Sequence, residues 1–220
     1  MQIAYVKKKN ESFIKRLLIC GVVSAPLFYV LAIVQAFTRT GYDIKRHAIS
    51  TLTLGDLGWI QSANFIITGL LAVIAAIGFR KLLRGSRGGT WGALLIGIYG
   101  VGMIVAGLFR PDPGLGFPEG APAHMPTSMS GHAALHSMAF FIAFISLIVA
   151  TFIFARRFSS QGLHGWKIYC ITTGILSPLL IVLGMAINSW IGVIMGCAGM
   201  VAFGWVSALA GRLRTEVSND

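Results

Sequence analysis

Between Phe109 and His136 the chain reads FRPDPGLGFPEGAPAHMPTSMSGHAALH, and the side chains able to do chemistry gather here. The stretch holds Asp112, Glu119, His124, His132 and His136, three of the five histidines. His132 and His136 are four residues apart. On a helix that spacing puts both imidazoles on one face, where they can hold one metal ion. A metal site takes three or four ligands, so Asp112 is the natural third, with His124, His47 and Glu119 as further candidates. Zinc held by His132, His136 and Asp112 would activate a water for hydrolysis. No Glu follows the first histidine, so the metalloprotease pattern is absent. Ser50 is a candidate nucleophile only with His47 or His132 as its base. Stacked haems would need histidine pairs on facing helices at two levels, and among the apolar runs only one contains histidine.

The rest of the chain must position these groups. Of 220 residues, 55% are hydrophobic and 11% charged, and the mean hydropathy is +0.77. Soluble domains average about 25% charged residues, so a wetted globular surface is excluded. A helix needs about 20 apolar residues to cross a hydrocarbon core of ~30 Å. Six runs reach that length: 17–37, 59–79, 90–109, 132–155, 168–187 and 190–210. Lipid offers backbone groups no partners, so each run is expected to be a helix. The expected fold is all-α, a six-helix transmembrane bundle in a single membrane domain over 1–220.

A net charge of +11 in a soluble protein would suggest nucleic acid. Here the basic residues alternate by connection. Lys7, Lys8, Lys9, Lys15 and Arg16 precede the first run, and Arg80, Lys81, Arg84 and Arg87 follow the second. Arg156, Arg157 and Lys167 follow the fourth, and Arg212 and Arg214 follow the sixth. These are 14 of the 18 Lys and Arg; Arg39, Lys45, Arg46 and Arg110 lie on the other side. The positive-inside rule then puts both termini in the cytoplasm. The expected surroundings are the lipid bilayer of an inner or plasma membrane, crossed several times, with no nucleic-acid partner. The first run exceeds a signal h-region of roughly 7–15 residues and reads as an uncleaved span. Cys20, Cys170 and Cys197 fall inside apolar runs without paired spacing and read as packing residues.

Helical spacing then assigns faces. In the fourth run His132, His136, Ala139, Ala143, Ser146 and Ala150 share one side, opposite Phe140, Phe141, Phe144, Ile145, Leu147 and Ile148. Small residues favour helix contacts in a membrane, so both histidines are expected inward and the large residues outward. In the second run Gln61, Asn64, Thr68, Ala72 and Ala75 form a polar-to-small stripe. Gln61 and Asn64 fall at the depth of His132 and His136, Gln35 closes the first run near that level, and Asp112 follows the third. The residues converge on an expected outward-facing ligand pocket of Gln61, Asn64, His132 and His136, with Asp112 and His47 at its mouth and Ser50 as a further candidate. Taken singly, each residue has a plainer role in packing, turn formation or a local hydrogen bond. The connection from Arg39 to Gly58 is expected to hold a short interfacial segment. Pro178 is expected to kink the fifth helix, and Gly192 and Gly196 to allow close packing in the sixth.

The stretch HAISTLTLGDLGWIQSANFIITGLL, with AGLFRPDP, GFPEG and GHAALH after it, resembles the prokaryotic family catalogued as domain of unknown function 998. The matching positions are Ser50, Leu52, Gly55, Gly58, Trp59, Gln61, Asn64, Phe65, Gly69, Asp112, Pro113 and His136. The resemblance implies a polytopic membrane protein and carries no activity with it.

Three functions fit these residues. The first is binding or movement of a small molecule or lipid at the outward pocket. The second is a metal-dependent hydrolase at the outer face. The third is a structural subunit of a membrane complex. The shared topology is open to direct measurement. A cysteine at Gly116 is expected to label with an impermeant reagent from outside intact cells, and one at Ser86 is not; reversed labelling inverts the orientation.

Overall fold

The computed structural model describes residues 2–217, with side chains from Lys9 onward. Lys7 and Lys8 of the basic N-terminal cluster lie outside those side chains. The described chain is helical: α1 (Gln2–Thr38), α2 (Gly58–Leu82), α3 (Trp91–Leu108), α4 (Gly131–Ser160), α5 (His164–Ala186) and α6 (Ile191–Glu216). Six helices are long and apolar enough to cross a membrane. At the end bearing the termini, α1, α2, α4 and α6 run past the expected apolar limits. An intrahelical ladder needs no lipid and continues into the interface.

Each helix packs on its neighbours in sequence, and α6 returns to α1, so the six form a closed ring. Paired contacts run in opposite order along every neighbouring couple: Gly21 with Ala75 and Gly78 with Leu17; Gly69 with Gly100 and Gly107 with Ser62; Gly92 with Phe154 and Gly102 with Ala143; Thr151 with Gly174 and Phe158 with Trp166; Cys170 with Trp205 and Gly184 with Met195; Gly21 with Ala210 and Tyr29 with Gly196. All neighbours are therefore antiparallel. At the α2–α3 crossing backbone meets backbone. A Cβ at Gly69 would meet the Gly100 carbonyl oxygen, and one at Gly100 would lie 2.7 Å from the Gly69 oxygen. Only hydrogen in place of a side chain lets the two backbones touch.

A ring of six helices leaves a central space that small residues cannot fill. Phe28 and Tyr29 of α1, Phe65 of α2, Tyr99 of α3, Phe144 of α4 and Phe203 of α6 fill it. Phe203 stands 5.4 Å from Phe28, 5.2 Å from Tyr99 and 5.6 Å from Phe144, centroid to centroid. This corrects the expected faces of α4. Phe144 and Leu147 are buried, not lipid-facing, and His132 is exposed, not inward. The small-residue rule holds for Ala139, Ala143 and Ala150 at helix contacts. It fails for residues aimed at the centre, where volume is required. In α2 the expected stripe of Gln61, Asn64, Thr68, Ala72 and Ala75 is the buried face.

Helix α1 continues through a proline. Pro26 cannot donate to the helix ladder. Beside it, Ser207 of α6 donates to the Gly21 carbonyl at 2.9 Å and accepts from the Ala25 N–H at 3.2 Å. Helix α5 runs on through Pro178. Gly192 meets the carbonyls of Ile44 and His47, and its N–H donates to Lys45 O at 2.9 Å. The Gly192–Gly196 pair therefore serves contacts within the chain. At the terminus end, Arg157 bonds Ser86, the Arg87 carbonyl and Glu216, tying α4 to the α2–α3 connection and to α6.

Gly100→Leu should lower stability by about 1–3 kcal/mol or more through overpacking. Gly204→Ala, with open space around it, should stay within about 1 kcal/mol. Thermal melts of the detergent-solubilised variants measure both. Equal melting would place the tight crossing elsewhere.

Candidate functional site

At the end opposite the termini, the polar residues form two separate structures. The deeper one lies between α1 and α2. Gln35, Gln61, Asn64 and Thr68 are all buried there, Gln61 and Thr68 completely. The Gln61 Oε1 accepts two amide hydrogens, from Gln35 Nε2 at 2.7 Å and from Asn64 Nδ2 at 3.1 Å. Gln35 Nε2 also donates to Leu31 O at 3.1 Å, and Asn64 Nδ2 to Phe28 O at 3.0 Å. Those carbonyls can only accept, so they fix which way each amide points. The remaining atoms, Gln35 Oε1, Gln61 Nε2, Asn64 Oδ1 and Thr68 Oγ1, are buried and have no partner among the described residues. An unpartnered buried polar atom costs roughly 1–3 kcal/mol. Four of them cost about 4–12 kcal/mol, comparable to the 5–15 kcal/mol that holds a whole domain. A cluster of two acceptors, one donor and one hydroxyl is suited to a neutral polar group. It carries no charge to attract an ion and no titratable side chain.

The second structure is a cap over that end, made by the α1–α2 and α3–α4 connections. His47 is its joint. The Nδ1 of His47 accepts from Asp43 N–H at 2.9 Å, so Nε2 carries the proton and donates to Leu115 O at 3.1 Å. Tyr42 donates to His47 O at 2.8 Å, and the Phe117 ring lies 5.4 Å from both rings. Arg39 lies over Phe117 at 5.5 Å and donates to Leu52 O at 3.2 Å and Leu54 O at 2.6 Å. Burial, and then the Asp43 charge, push the Tyr42 phenol above its ordinary range. Lys45 lies 4.9 Å over Trp190, joining the cap to the start of α6. The expected interfacial segment is a single 3-10 turn, Ile49–Thr53, with Leu52 and Thr53 buried.

The structure thus separates the residues that spacing had grouped. His136 is buried, and its Nδ1–H is shared between Ala106 O at 3.0 Å and Phe109 O at 2.9 Å. It closes the last turn of α3, whose carbonyls have no intrahelical partners. His132, one turn earlier, is exposed and lies against the Phe109 ring at 5.4 Å, tilted by 56°. Asp112 accepts from Ser130 N–H at 2.8 Å just before α4. Hydrogen bonds from the Ser130 side chain and backbone hold its carboxyl below the usual carboxylate range. These three are not brought together as ligands, and among the described residues no three His, Cys, Asp or Glu are placed to hold a metal ion. Both nitrogens of His47 are engaged, which leaves neither free to act as a base for Ser50. Gln61 and Asn64 are joined instead by Gln35, with Thr68 buried one turn further along the same face of α2. The signal for Thr68 was its place on the α2 stripe; Arg39 and Phe117 carried none, because their partners are distant in sequence.

A family model described as "Protein of unknown function (DUF998)" matches residues 22–212. No curated protein and no solved structure matches.

Replacing His47 with alanine removes a donor and an acceptor from the cap. It should cost roughly 1–3 kcal/mol and speed proteolysis within 109–130. His132→Ala should change stability by less than about 0.5 kcal/mol. Equal protease sensitivity of the two variants would deny His47 its joining role.

Proposed function

We propose, for a chain that belongs to the family described as protein of unknown function (DUF998), that this multi-pass membrane protein binds a small neutral molecule or the uncharged polar part of a lipid at the Gln35–Gln61–Asn64–Thr68 cluster. The observation that carries this reading is the set of four buried polar atoms left without partners in one place. A ligand offering both hydroxyl or amide hydrogens and oxygen acceptors would complete them. The aromatic packing of Phe28, Phe65, Tyr99, Phe144 and Phe203 below the cluster favours binding over free conduction. The basic connections support an orientation with both termini in the cytoplasm of a cell with an inner or plasma membrane, and the cluster toward the outside. The cap hinged on His47 would then govern entry. The metal-dependent hydrolase draws no support from the dispersed positions of His132, His136 and Asp112.

The test separates a binding cluster from a packing network. Gln61→Leu alone deprives Gln35 and Asn64 of their shared acceptor and should destabilise by about 1–3 kcal/mol. Replacing Gln35, Gln61 and Asn64 together by Leu removes every orphaned amide and should restore or raise the melting temperature. Native mass spectrometry of the detergent-purified wild type should show a retained neutral molecule that the triple variant lacks. A triple variant less stable than Gln61→Leu, or one with an unchanged retention pattern, would make the cluster a packing network.

A further inference from the structure

The entire excess of positive charge sits at the terminus end. The opposite end holds Arg39, Lys45, Arg46 and Arg110 against Asp43, Asp56, Asp112 and Glu119, and is balanced. In sequence, the N- and C-terminal segments and the α2–α3 and α4–α5 connections carry the other 14 basic residues against three acids, Glu11, Glu216 and Asp220. Glu216 is already taken up by Arg157 at 3.0 Å and Arg212 at 3.5 Å.

A groove of about 470 Å³ opens at this end between the α2–α3 connection and α4. Arg87 and Arg156 line it, with Trp91 and Ile153 as its apolar part. Both arginines are exposed, and neither forms an ion pair among the described residues. The groove contains the start of α3. Thr90 stands at the N-cap position but makes no side-chain capping bond. In its place the Ala93 N–H donates to Gly88 O at 3.2 Å, which leaves the Trp91 and Gly92 amides of the first turn as the open ones. The turn is held down by Phe154, which lies against Gly88 (φ +85°) and Gly92; a Cβ at Gly92 would stand 2.7 Å from its ring. A side chain at Gly92 would push α3 off α4.

We propose that this groove binds the headgroup phosphate of an anionic phospholipid. Arg87 and Arg156 would face the phosphate oxygens, and the α3 N-terminus would add the amides of Trp91 and Gly92 and its partial positive charge. The apolar part commits the site to a lipid and not to a free anion. Trp91 is 66% exposed at the first residue of a membrane-crossing helix, and Ile153 lies within the apolar length of α4. A tryptophan there occupies the level of the glycerol backbone, with acyl chains running down beside Ile153. Basic recesses between membrane helices hold acidic headgroups in this way. The site stands apart from the amide cluster, at the other end of the bundle, and does not depend on it.

The experiment titrates detergent-purified protein with phosphatidylglycerol and with phosphatidylcholine of the same chains, read by native mass spectrometry. The wild type should bind the anionic lipid roughly tenfold or more tightly. Arg87→Gln with Arg156→Gln should abolish that preference. Arg84→Gln with Arg214→Gln, the same charge change at exposed positions of the same end, should preserve it. Arg87→Lys with Arg156→Lys should keep part of it, which shows that charge and not folding was lost in the glutamine pair. A wild type without preference, or a control pair that loses it equally, overturns the site. Inorganic phosphate displacing the lipid at equal concentration would make it a free-anion site and overturn the lipid assignment.

Discussion

The contact of the Phe203 ring with Phe28, Tyr99 and Phe144 closes the molecule. Six antiparallel helices joined in sequence can form a ring only if the middle is filled, since a void forfeits the packing attraction of every side chain around it. Aromatic rings supply that volume from five of the six helices. With the centre occupied, the helices can approach each other through small residues at their edges, as Gly69 and Gly100 do. Large side chains inward and small ones between neighbours are two parts of one solution.

The aromatic plug also sets where polar groups can be placed. Below the Gln35–Gln61 pair the centre of the ring is filled by aromatic side chains, and the buried amides occur at the α1–α2 seam. There two carbonyls of α1, at Phe28 and Leu31, orient them. Above the seam, the connections fold on themselves through side chains that bond backbone: Arg39 to Leu52 and Leu54, Tyr42 to His47, His47 to Leu115. The irregular backbone of the cap has few ladder bonds of its own, and these side chains supply what a helix would have provided. His136 and Asp112 belong to the same economy, one closing α3 and the other stabilising the approach to α4.

The two ends differ in electrostatics as much as in shape. The capped end is neutral overall, and two of its four cations, Arg39 and Lys45, are engaged by carbonyls and aromatic faces. The terminus end keeps cations exposed around the first turn of α3. An end that does not neutralise its own charge is arranged to meet negative charge in its surroundings, and the adjacent surroundings are lipid headgroups.

Much of this was legible in the sequence because the bilayer imposes it one segment at a time. Span length, helical state, the alternation of basic connections and the buried stripe of α2 each follow from local composition and the 3.6-residue period. The short turn at Ile49–Thr53 was legible as an interfacial segment for the same reason. Partnership was not legible. His132 and His136 share a spacing but not an environment: His136 is buried against the last turn of α3, whereas His132, one turn further out, is exposed beside Phe109. Phe144 and Leu147 face inward because ring closure demands volume, a requirement of six helices together and of none alone. Gln35 finds Gln61, and His47 finds Leu115 across 68 positions of chain. Periodicity assigns a residue to a face; only the assembled ring decides what that face meets.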